Sequence, residues 1–328
     1  MDGGNCKEWH NQGLSYVHVT VAEYLGRWLE DSVRGTVKIT TYAGYESVVR
    51  LHVSPTLGGT KLSALTPAHV QGLYRSKLDE GLAPKSVKHV HTTLHRALKQ
   101  AVRWGPVPRN AAAETDPPRV SSPEMRPFTP VQARTLLDAA EGNRLEALFV
   151  LAVTTGMRQG EILGLGWEDM DTEAGVVRVR RTLTLAKGGP RLTEPKTPRS
   201  RRSIRLTTSA VDALERHRER QDSEGAARGP DWNGFGLVFC THRGTPLRRD
   251  TLHDKYWKPL LRRAGLPDTR FHDLRHTCAT LLLTKGVHPK IVSEMLGHSS
   301  IAITLDTYSH VIPGLGDAAA LAMEDVLW

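Results

Sequence analysis

The run TGMRQGEI places an arginine and a glutamate at a spacing that suits the binding of an anion. Gly156 predicts a turn after one helix, and Arg158 is then expected at the start of the next helix. Glu161 follows three residues later on the same helix face, where it is expected to orient the Arg158 guanidinium. An ordinary surface ion pair has the same spacing, so this run alone does not define a function.

A histidine and a second arginine occur three residues apart in the run HDLRH. On a helix, His272 and Arg275 would face the same site. A planar guanidinium binds two phosphate oxygens together, and a histidine transfers protons near neutral pH. A structural His–Arg pair would show the same pattern, so these residues indicate phosphate chemistry only in combination with others.

A third group combines a histidine with a phenol. The run LGH predicts a helix stop that presents His298, and Tyr308 follows ten residues later. A tyrosine hydroxyl has a pKa of about 10, so it attacks poorly at neutral pH unless nearby positive charge favours the phenolate. A tyrosine near a helix is more often part of a core, and a histidine at a helix end is often only a cap.

The order of these residues resembles the tyrosine recombinase (phage integrase) family. An arginine, a His-x-x-Arg run, a Leu-Gly-His run and a Tyr-x-His run follow one another, and the words TGMRQGEI, HDLRHTCATLL, LGHSS and TLDTYSH match as well. The resemblance covers about residues 127–310. The helical region before it is similar to the core-binding domain of that family.

The resemblance implies an enzyme that cuts and rejoins DNA through a 3′-phosphotyrosine bond. Two arginines would clamp the scissile phosphate, two histidines would hydrogen-bond it and help to move protons, and the tyrosine would attack phosphorus. No metal, cofactor or ATP is expected, because the side chains supply the positive charge. The sixth residue of the family is a lysine on a β-hairpin, where Lys196 fits and Lys187 is the alternative. The implied catalytic residues are Arg158, Lys196, His272, Arg275, His298 and Tyr308, the nucleophile.

These residues need elements that hold them, and the hydrophobic periodicity predicts mostly helices. Together with the resemblance, it predicts a mainly α fold: an N-terminal helical core-binding (SAM-like) domain and a mostly helical catalytic domain with a small antiparallel β-sheet. The expected boundaries are 1–19 for an N-terminal extension, 20–105 for the helical DNA-binding domain, 106–126 for a Pro-rich linker and 127–328 for the catalytic domain. The linker is expected to run extended and to build no core.

Capping residues, glycines and the alternation of apolar with polar residues predict individual helices and strands. One strand is expected over 176–185, a returning strand over 203–206 and another short strand over 237–239. The segment 317–327 is a candidate for a short helix, which in relatives docks on a neighbouring protomer. The predicted helix starts are Thr20 with Glu23, Thr66 with Pro67, Ser86, and Thr129 with Gln132, and the predicted helix ends are Gly81 and Gly105.

Positive charge is in excess and is clustered. The chain has 44 lysines and arginines against 35 acids, a formal net charge of +9, which favours an anionic partner. No acid occurs over 81–113, where several basic residues lie off the apolar face of a predicted helix. Further arginines flank the predicted hairpin lysine. The residues expected to contact DNA are Lys85, Lys88, Arg96, Lys99, Arg103, Arg199, Arg201 and Arg202.

Several classes of protein are disfavoured by the sequence. Three widely spaced cysteines give no disulfide framework and no paired zinc-ligand pattern. The chain lacks an apolar run of about 18 residues and the layout of a signal peptide, so we expect a bacterial cytoplasmic, nucleoid-associated protein without membrane contact. The expected partners are double-stranded DNA and further copies of the chain as a homotetramer on paired DNA sites, with an excision factor or a host DNA-bending factor still to be tested.

The sequence leaves alternatives open within this chemistry. An integrase of a phage or mobile element and a Xer-type resolvase of chromosome dimers would carry the same site residues. A DNA-binding protein that has lost catalysis is disfavoured because all six catalytic positions are filled, and a type IB topoisomerase would share much of the site. Only about 16 residues precede the first predicted helix, so an arm-binding domain is either absent or begins upstream.

Overall fold

The structure is a computed structural model that describes residues 18–120, 125–186, 189–194, 201–309 and 323–328. The chain divides into two compact units, Met1–Pro123 and Glu124–Trp328. Each unit has its own hydrophobic core. Within the described residues, no helix combines the length and the apolar character that crossing a membrane requires.

All regular secondary structure elements in the described residues of the first unit are helices. Short π-helical turns over Trp28–Val33 and Val49–Val53 continue two of its helices, and 3₁₀ turns cover Leu62–Ala64 and Ala111–Glu114. The α-helices are α1 (Val21–Arg27), α2 (Ile39–Val48), α3 (Ser54–Leu57), α4 (Pro67–Asp79) and α5 (Pro84–Trp104).

The helix starts of the chain test the capping predictions. Those at Thr20, Thr66 and Thr129 are confirmed, because each threonine hydroxyl accepts the backbone N–H of the residue three positions on. The cap predicted at Ser86 is wrong, because α5 already begins at Pro84. The fixed φ of proline and its missing N–H suit the first helical turn, and they place Ser86 inside the helix.

Helix α5 carries the basic face predicted from the acid-free stretch. Its apolar residues, from Val87 to Ala101, lie buried on one side, and the helix ends where Gly105 adopts a φ of 92°. The basic side chains of this stretch are all exposed, as expected. They are Lys85, Lys88, Arg96, Lys99, Arg103 and Arg109.

The first part of the predicted linker packs instead of running extended. Val107, Ala111 and Ala112 are buried in the core of the first unit. Asn110 begins the 3₁₀ turn there, accepting the backbone N–H of Ala112 and donating its side-chain amide to the carbonyl of His95. Small apolar residues between the prolines therefore extend the first core beyond residue 105.

The second unit is mostly helical with two small antiparallel sheets. Its helices are α6 (Pro130–Ala140), α7 (Glu146–Thr155), α8 (Gln159–Leu163), α9 (Thr208–Arg228), α10 (Arg249–Leu252), α11 (Lys258–Arg263), α12 (Asp273–Thr284), α13 (Pro289–Leu296) and α14 (Ile301–Tyr308). A π-helical turn over His253–Trp257 joins α10 to α11. Its strands are β1 (Met170–Asp171), β2 (Val176–Val179), β3 (Thr182–Ala186), β4 (Gly189–Thr193) and β5 (Arg202–Arg205).

Helix α7 is the centre of the second core. It is buried on nearly every side, and it packs against α6, α9 and α12. Phe149 on this helix meets the rings of Trp257 and Phe271 at centroid distances of 6.0 and 6.4 Å. Because the surrounding helices hold α7 in place, they also fix the position of the turn that follows it.

The strand predicted over 176–185 is divided into two strands. β2 pairs with β1 and β5, whereas β3 pairs with β4 in a separate sheet. The division falls at Arg180 and Arg181, which both reach the buried carboxylate of Asp169 at 3.9 and 2.9 Å. Successive side chains of a straight strand point to opposite faces, so two neighbours that share one carboxylate require a bend.

A third strand and a C-terminal helix were also predicted. The strand predicted over 237–239 is wrong, because only Leu237 forms a bridge, with Gly166, and the carbonyl of Val238 accepts hydrogen bonds from side chains of α9. Most of the predicted helix over 317–327 lies outside the described residues, and Met323–Leu327 is helical.

Candidate active site

The turn between α7 and α8 places the first arginine. Helix α7 ends at Gly156, whose φ is 60°, and Arg158 is the N-cap residue of α8. A Cβ atom at Gly156 would lie 2.5 Å from Cδ2 of Leu296 and 3.3 Å from Sγ of Cys278. Only glycine therefore lets the end of α7 approach α12 and α13 so closely.

This close approach supports the second arginine. Arg275 on α12 is only 4% exposed, and its Nη1 donates to the carbonyl of Gly156 at 2.8 Å. Its Nη2 has no hydrogen-bond partner among the residues that the structure describes. Burial and the positive charge of Arg158 lower the pKa of Arg275 to about 10, so the group stays charged at neutral pH. A buried cationic edge without a partner is costly, and an anionic ligand would relieve that cost.

Arg158 is held by a buried carboxylate. Its Nη1 donates to Oε1 of Glu161 at 2.8 Å, and its Nη2 donates to the carbonyl of Gly297 at 3.2 Å. Burial acts to raise the pKa of Glu161, but the hydrogen bond and charge of Arg202, together with Arg158, lower it below its usual value. Glu161 is therefore ionised, as the role predicted for it requires.

Arg202 differs from the expectation that it contacts DNA. Its side chain is 7% exposed, and it donates through Nη2 to Oε2 of Glu161 at 2.8 Å and through Nε to the carbonyl of Met295 at 2.6 Å. It also lies against Gly297, where an added Cβ would meet its guanidinium at 2.9 Å. Arg202 thus ties β5 to α8 and to the end of α13, a structural position that the prediction of a DNA contact did not include.

The remaining predicted DNA contacts divide into exposed and undescribed residues. Arg201 is exposed and pairs with the exposed Glu194 at 2.6 Å. The lysine candidates Lys196 and Lys187, and also Arg199, lie outside the described residues.

The two predicted histidines lie at helix ends. His272 is the N-cap residue of α12, and His298 follows Gly297, whose φ is 68°. Nδ1 of His298 is 2.7 Å from Oγ1 of Thr304. Burial, followed by the charges of Arg275 and Arg158, lowers the pKa of His298 to about 4. His272 is exposed, yet desolvation, followed by the charges of His276 and Arg275, also lowers its pKa, so both rings are neutral at neutral pH.

Tyr308 is the last residue of α14 and is 2% exposed. Its hydroxyl lies 2.7 Å from Nδ1 of His276, a residue that the sequence reasoning did not select. Burial raises the pKa of Tyr308 to about 12, although the charge of Arg275 acts in the opposite direction. His276 follows His272 by four residues. The helical spacing that places His272 and Arg275 on one face therefore also places His276 there, and it could have predicted His276 as a site residue.

The structure brings five predicted residues together in one site. Arg275 lies on α12 and His272 is its N-cap residue, and the Arg158 guanidinium lies near enough to lower the pKa of both Arg275 and His298. Arg275 in turn acts on Tyr308. The arrangement combines two guanidinium groups, two neutral imidazoles and a phenol, a set able to bind a phosphodiester and attack it. The residues gathered are Arg158, His272, Arg275, His298 and Tyr308.

Comparison with known proteins identifies the family of the chain. The Phage integrase family matches residues 126–313, and the Phage integrase N-terminal SAM-like domain matches residues 20–78. A "Tyrosine recombinase XerC-like" protein of Caldanaerobacter subterraneus is 33% identical, over 95% of this chain and 85% of its own length. An integrase of Streptomyces ambofaciens is 30% identical, over 97% of this chain and 83% of its own length.

A solved structure shares the fold. The Tn1549 transposon integrase in complex with a circular intermediate DNA has a TM-score of 0.78 at 23% identity, over 94% of this chain and 99% of that chain. The helical fold and the family match together define a tyrosine site-specific recombinase. The chain belongs to the phage integrase family, and its first unit carries the SAM-like domain of that family.

The buried network around Glu161 predicts unequal effects for two adjacent arginines. Arg202→Ala should destabilise the protein by about 3 kcal/mol, because it removes a buried partner of a buried carboxylate. Arg201→Ala should cost less than about 1 kcal/mol, because both members of its ion pair are exposed. Urea unfolding of the two variants measures the difference, and equal losses would contradict the assignment of Arg202.

The lowered pKa of His298 predicts a stability that depends on pH. The folded pKa of about 4 lies below the unfolded value near 6.5, so the folded state binds fewer protons between these values. The contribution is fully present above pH of about 6.5 and should be lost as the pH falls toward 4. Urea unfolding at neutral and acid pH should show a smaller acid loss for His298→Asn, and identical losses would argue against the shift.

Proposed function

We propose that the chain cleaves and rejoins DNA strands at specific sites through a 3′-phosphotyrosine intermediate. The observation that carries this proposal is the buried Nη2 of Arg275, which lacks a partner among the described residues, in a site that also holds Arg158 and Tyr308. A scissile phosphate would supply the missing acceptor. Family membership supports the same chemistry.

The proposed cleavage step uses each side chain for one task. The O–H bond of Tyr308 breaks as a histidine of the site takes the proton, the phenolic oxygen forms a bond to phosphorus, and the bond from phosphorus to the 5′ oxygen breaks. Arg158 and Arg275 stabilise the negative charge that grows on the non-bridging oxygens. Lys196 is the proposed acid that protonates the departing oxygen. Because the phosphotyrosine retains a phosphoester bond, a second 5′ hydroxyl displaces the tyrosine without ATP.

The proposed biological role is the integration or excision of a phage or mobile element. The integrase of Streptomyces ambofaciens, which this chain matches over nearly its whole length, supports this role. The XerC-like relative supports the alternative, a resolvase of chromosome dimers. Sequencing the DNA junctions that the protein forms in cells distinguishes a mobile-element attachment site from a chromosomal resolution site.

The proposed partners are double-stranded DNA and further copies of this chain. Exchange between two duplexes breaks four strands in all, and each chain offers one Tyr308, so we propose a homotetramer on paired sites. The exposed basic face of α5 would contact the phosphate backbone. We propose that the first domain, predicted to end at residue 105, includes the packed segment up to Ala112. We place the protein at the nucleoid, in the bacterial cytoplasm.

Covalent trapping tests the proposed reaction. A suicide substrate with a nick near the cleavage site should accumulate a protein–DNA adduct, because the short fragment that carries the 5′ hydroxyl diffuses away. Tyr308→Phe should form no adduct, and Arg275→Lys should form it about 100 to 1,000 times more slowly. Denaturing gels with labelled DNA give the rates. An adduct formed equally by the Tyr308→Phe variant would reject the nucleophile.

The basic face of α5 predicts binding that weakens steeply with salt. Removal of one phosphate contact by Lys88→Ala or Lys99→Ala should reduce the slope of log K against log salt by about 0.9. The charge-preserving variants Lys88→Arg and Lys99→Arg serve as controls and should keep the slope. Fluorescence anisotropy over a salt series measures it, and unchanged slopes in the alanine variants would exclude this face from the DNA interface.

A further inference from the structure

The hydroxyl of Tyr308 has one described hydrogen-bonding partner. Among the residues that the structure describes, the side-chain hydrogen bond of this hydroxyl is with Nδ1 of His276, at 2.7 Å. The two rings lie 5.8 Å apart, centroid to centroid. The ring of His272 lies 5.5 Å from that of His276 and nearly perpendicular to it. His276 therefore contacts both the nucleophile and His272.

Burial limits where the phenolic proton can go. Tyr308 is 2% exposed, so bulk water has little access to its hydroxyl. A phenol that attacks phosphorus must lose its proton during the step, and the acceptor must lie within hydrogen-bond reach. His276 meets this requirement in the described site, and Nδ1 is the atom that does so.

The protonation states fit a proton transfer in this direction. Burial lowers the pKa of His276, Asp273 opposes that shift, and Arg275 and Arg270 reinforce it. Across from α12, the facing groups are the Tyr308 phenol and the His298 ring. The His276 ring is therefore neutral at neutral pH, whereas burial keeps the phenol protonated. In that state the phenol donates and Nδ1 accepts.

We propose that His276 is a further catalytic residue, whose Nδ1 takes the phenolic proton while the oxygen of Tyr308 attacks phosphorus. The inference rests on the proposed recombinase reaction. The O–H bond of the phenol breaks, its electron pair forms the new bond to phosphorus, and the bond to the 5′ oxygen breaks as a separate acid protonates that oxygen. In rejoining, the His276 imidazolium returns the proton to the departing phenolate.

Two variants separate proton transfer from positioning. His276→Asn keeps an amide near the place of Nδ1, so it can still hold the phenol, but it cannot take up a proton. His276→Phe keeps the ring and removes both functions. Both variants should form the adduct about 100-fold more slowly than the unmodified protein at neutral pH. A 5′-bridging phosphorothiolate substrate should not relieve this defect, because its sulfur leaves without a proton and only the acid becomes dispensable.

The pH profile and the acidity of the phenol give the decisive readout. Adduct formation by the unmodified protein should level off above the pKa of His276, whereas the rate of His276→Asn should keep rising with pH as the phenol ionises without help. A fluorinated tyrosine of lower pKa, incorporated at position 308, should accelerate His276→Asn more than the unmodified protein. Circular dichroism and DNA binding verify that both variants are folded.

Each outcome of this experiment decides the inference. His276→Asn acting at the normal rate with the normal profile would overturn it. A rate reduced equally at every pH, without gain from the fluorinated tyrosine, would also overturn it, because that result describes a positioning role. Absence of any adduct from the unmodified protein would overturn the recombinase proposal itself, a result distinguishable from a normal adduct that is insensitive to His276.

Discussion

The site depends on one buried guanidinium that is satisfied on one edge only. Arg275 donates to the carbonyl of Gly156, and its other edge has no partner in the described part of the chain. The contact requires the end of α7 to approach α12 within a distance that only glycine allows. The enclosed core around α7 holds that turn in place. The packing of the second unit therefore keeps the Arg275 guanidinium in a position where it can bind an anion.

The second constraint is that two arginines share one buried carboxylate. Glu161 pairs with Arg158 and Arg202 at 2.8 Å each, and Arg202 also binds the carbonyl of Met295. Without this carboxylate the arginines would repel one another in a poorly hydrated site. The network connects β5, α8 and α13. Strand β5, which follows the predicted hairpin lysine, is therefore held in place relative to Arg158.

Local sequence rules predicted the helix starts and ends well. They failed at features that contacts between distant segments determine. Thr129 with its capping box and the glycine stops depend on neighbouring residues, so the sequence indicated them. The strand break at Arg180 depends on the buried Asp169, and the burial of Arg202 depends on Glu161, which lies 41 residues away. The contact of His276 with Tyr308 joins two helices in the same way, which is why the motif order indicated the phenol but not its partner.

The most direct test of the central claim is a crystal structure of the Tyr308→Phe variant bound to an uncleaved DNA site. The account predicts that Nη2 of Arg275 donates to a non-bridging oxygen of one phosphate. Arg158 should bind the same group, and the edge of the substituted aromatic ring should face phosphorus opposite the 5′ oxygen. A phosphate held elsewhere, with Nη2 of Arg275 still unpaired in that complex, would contradict it.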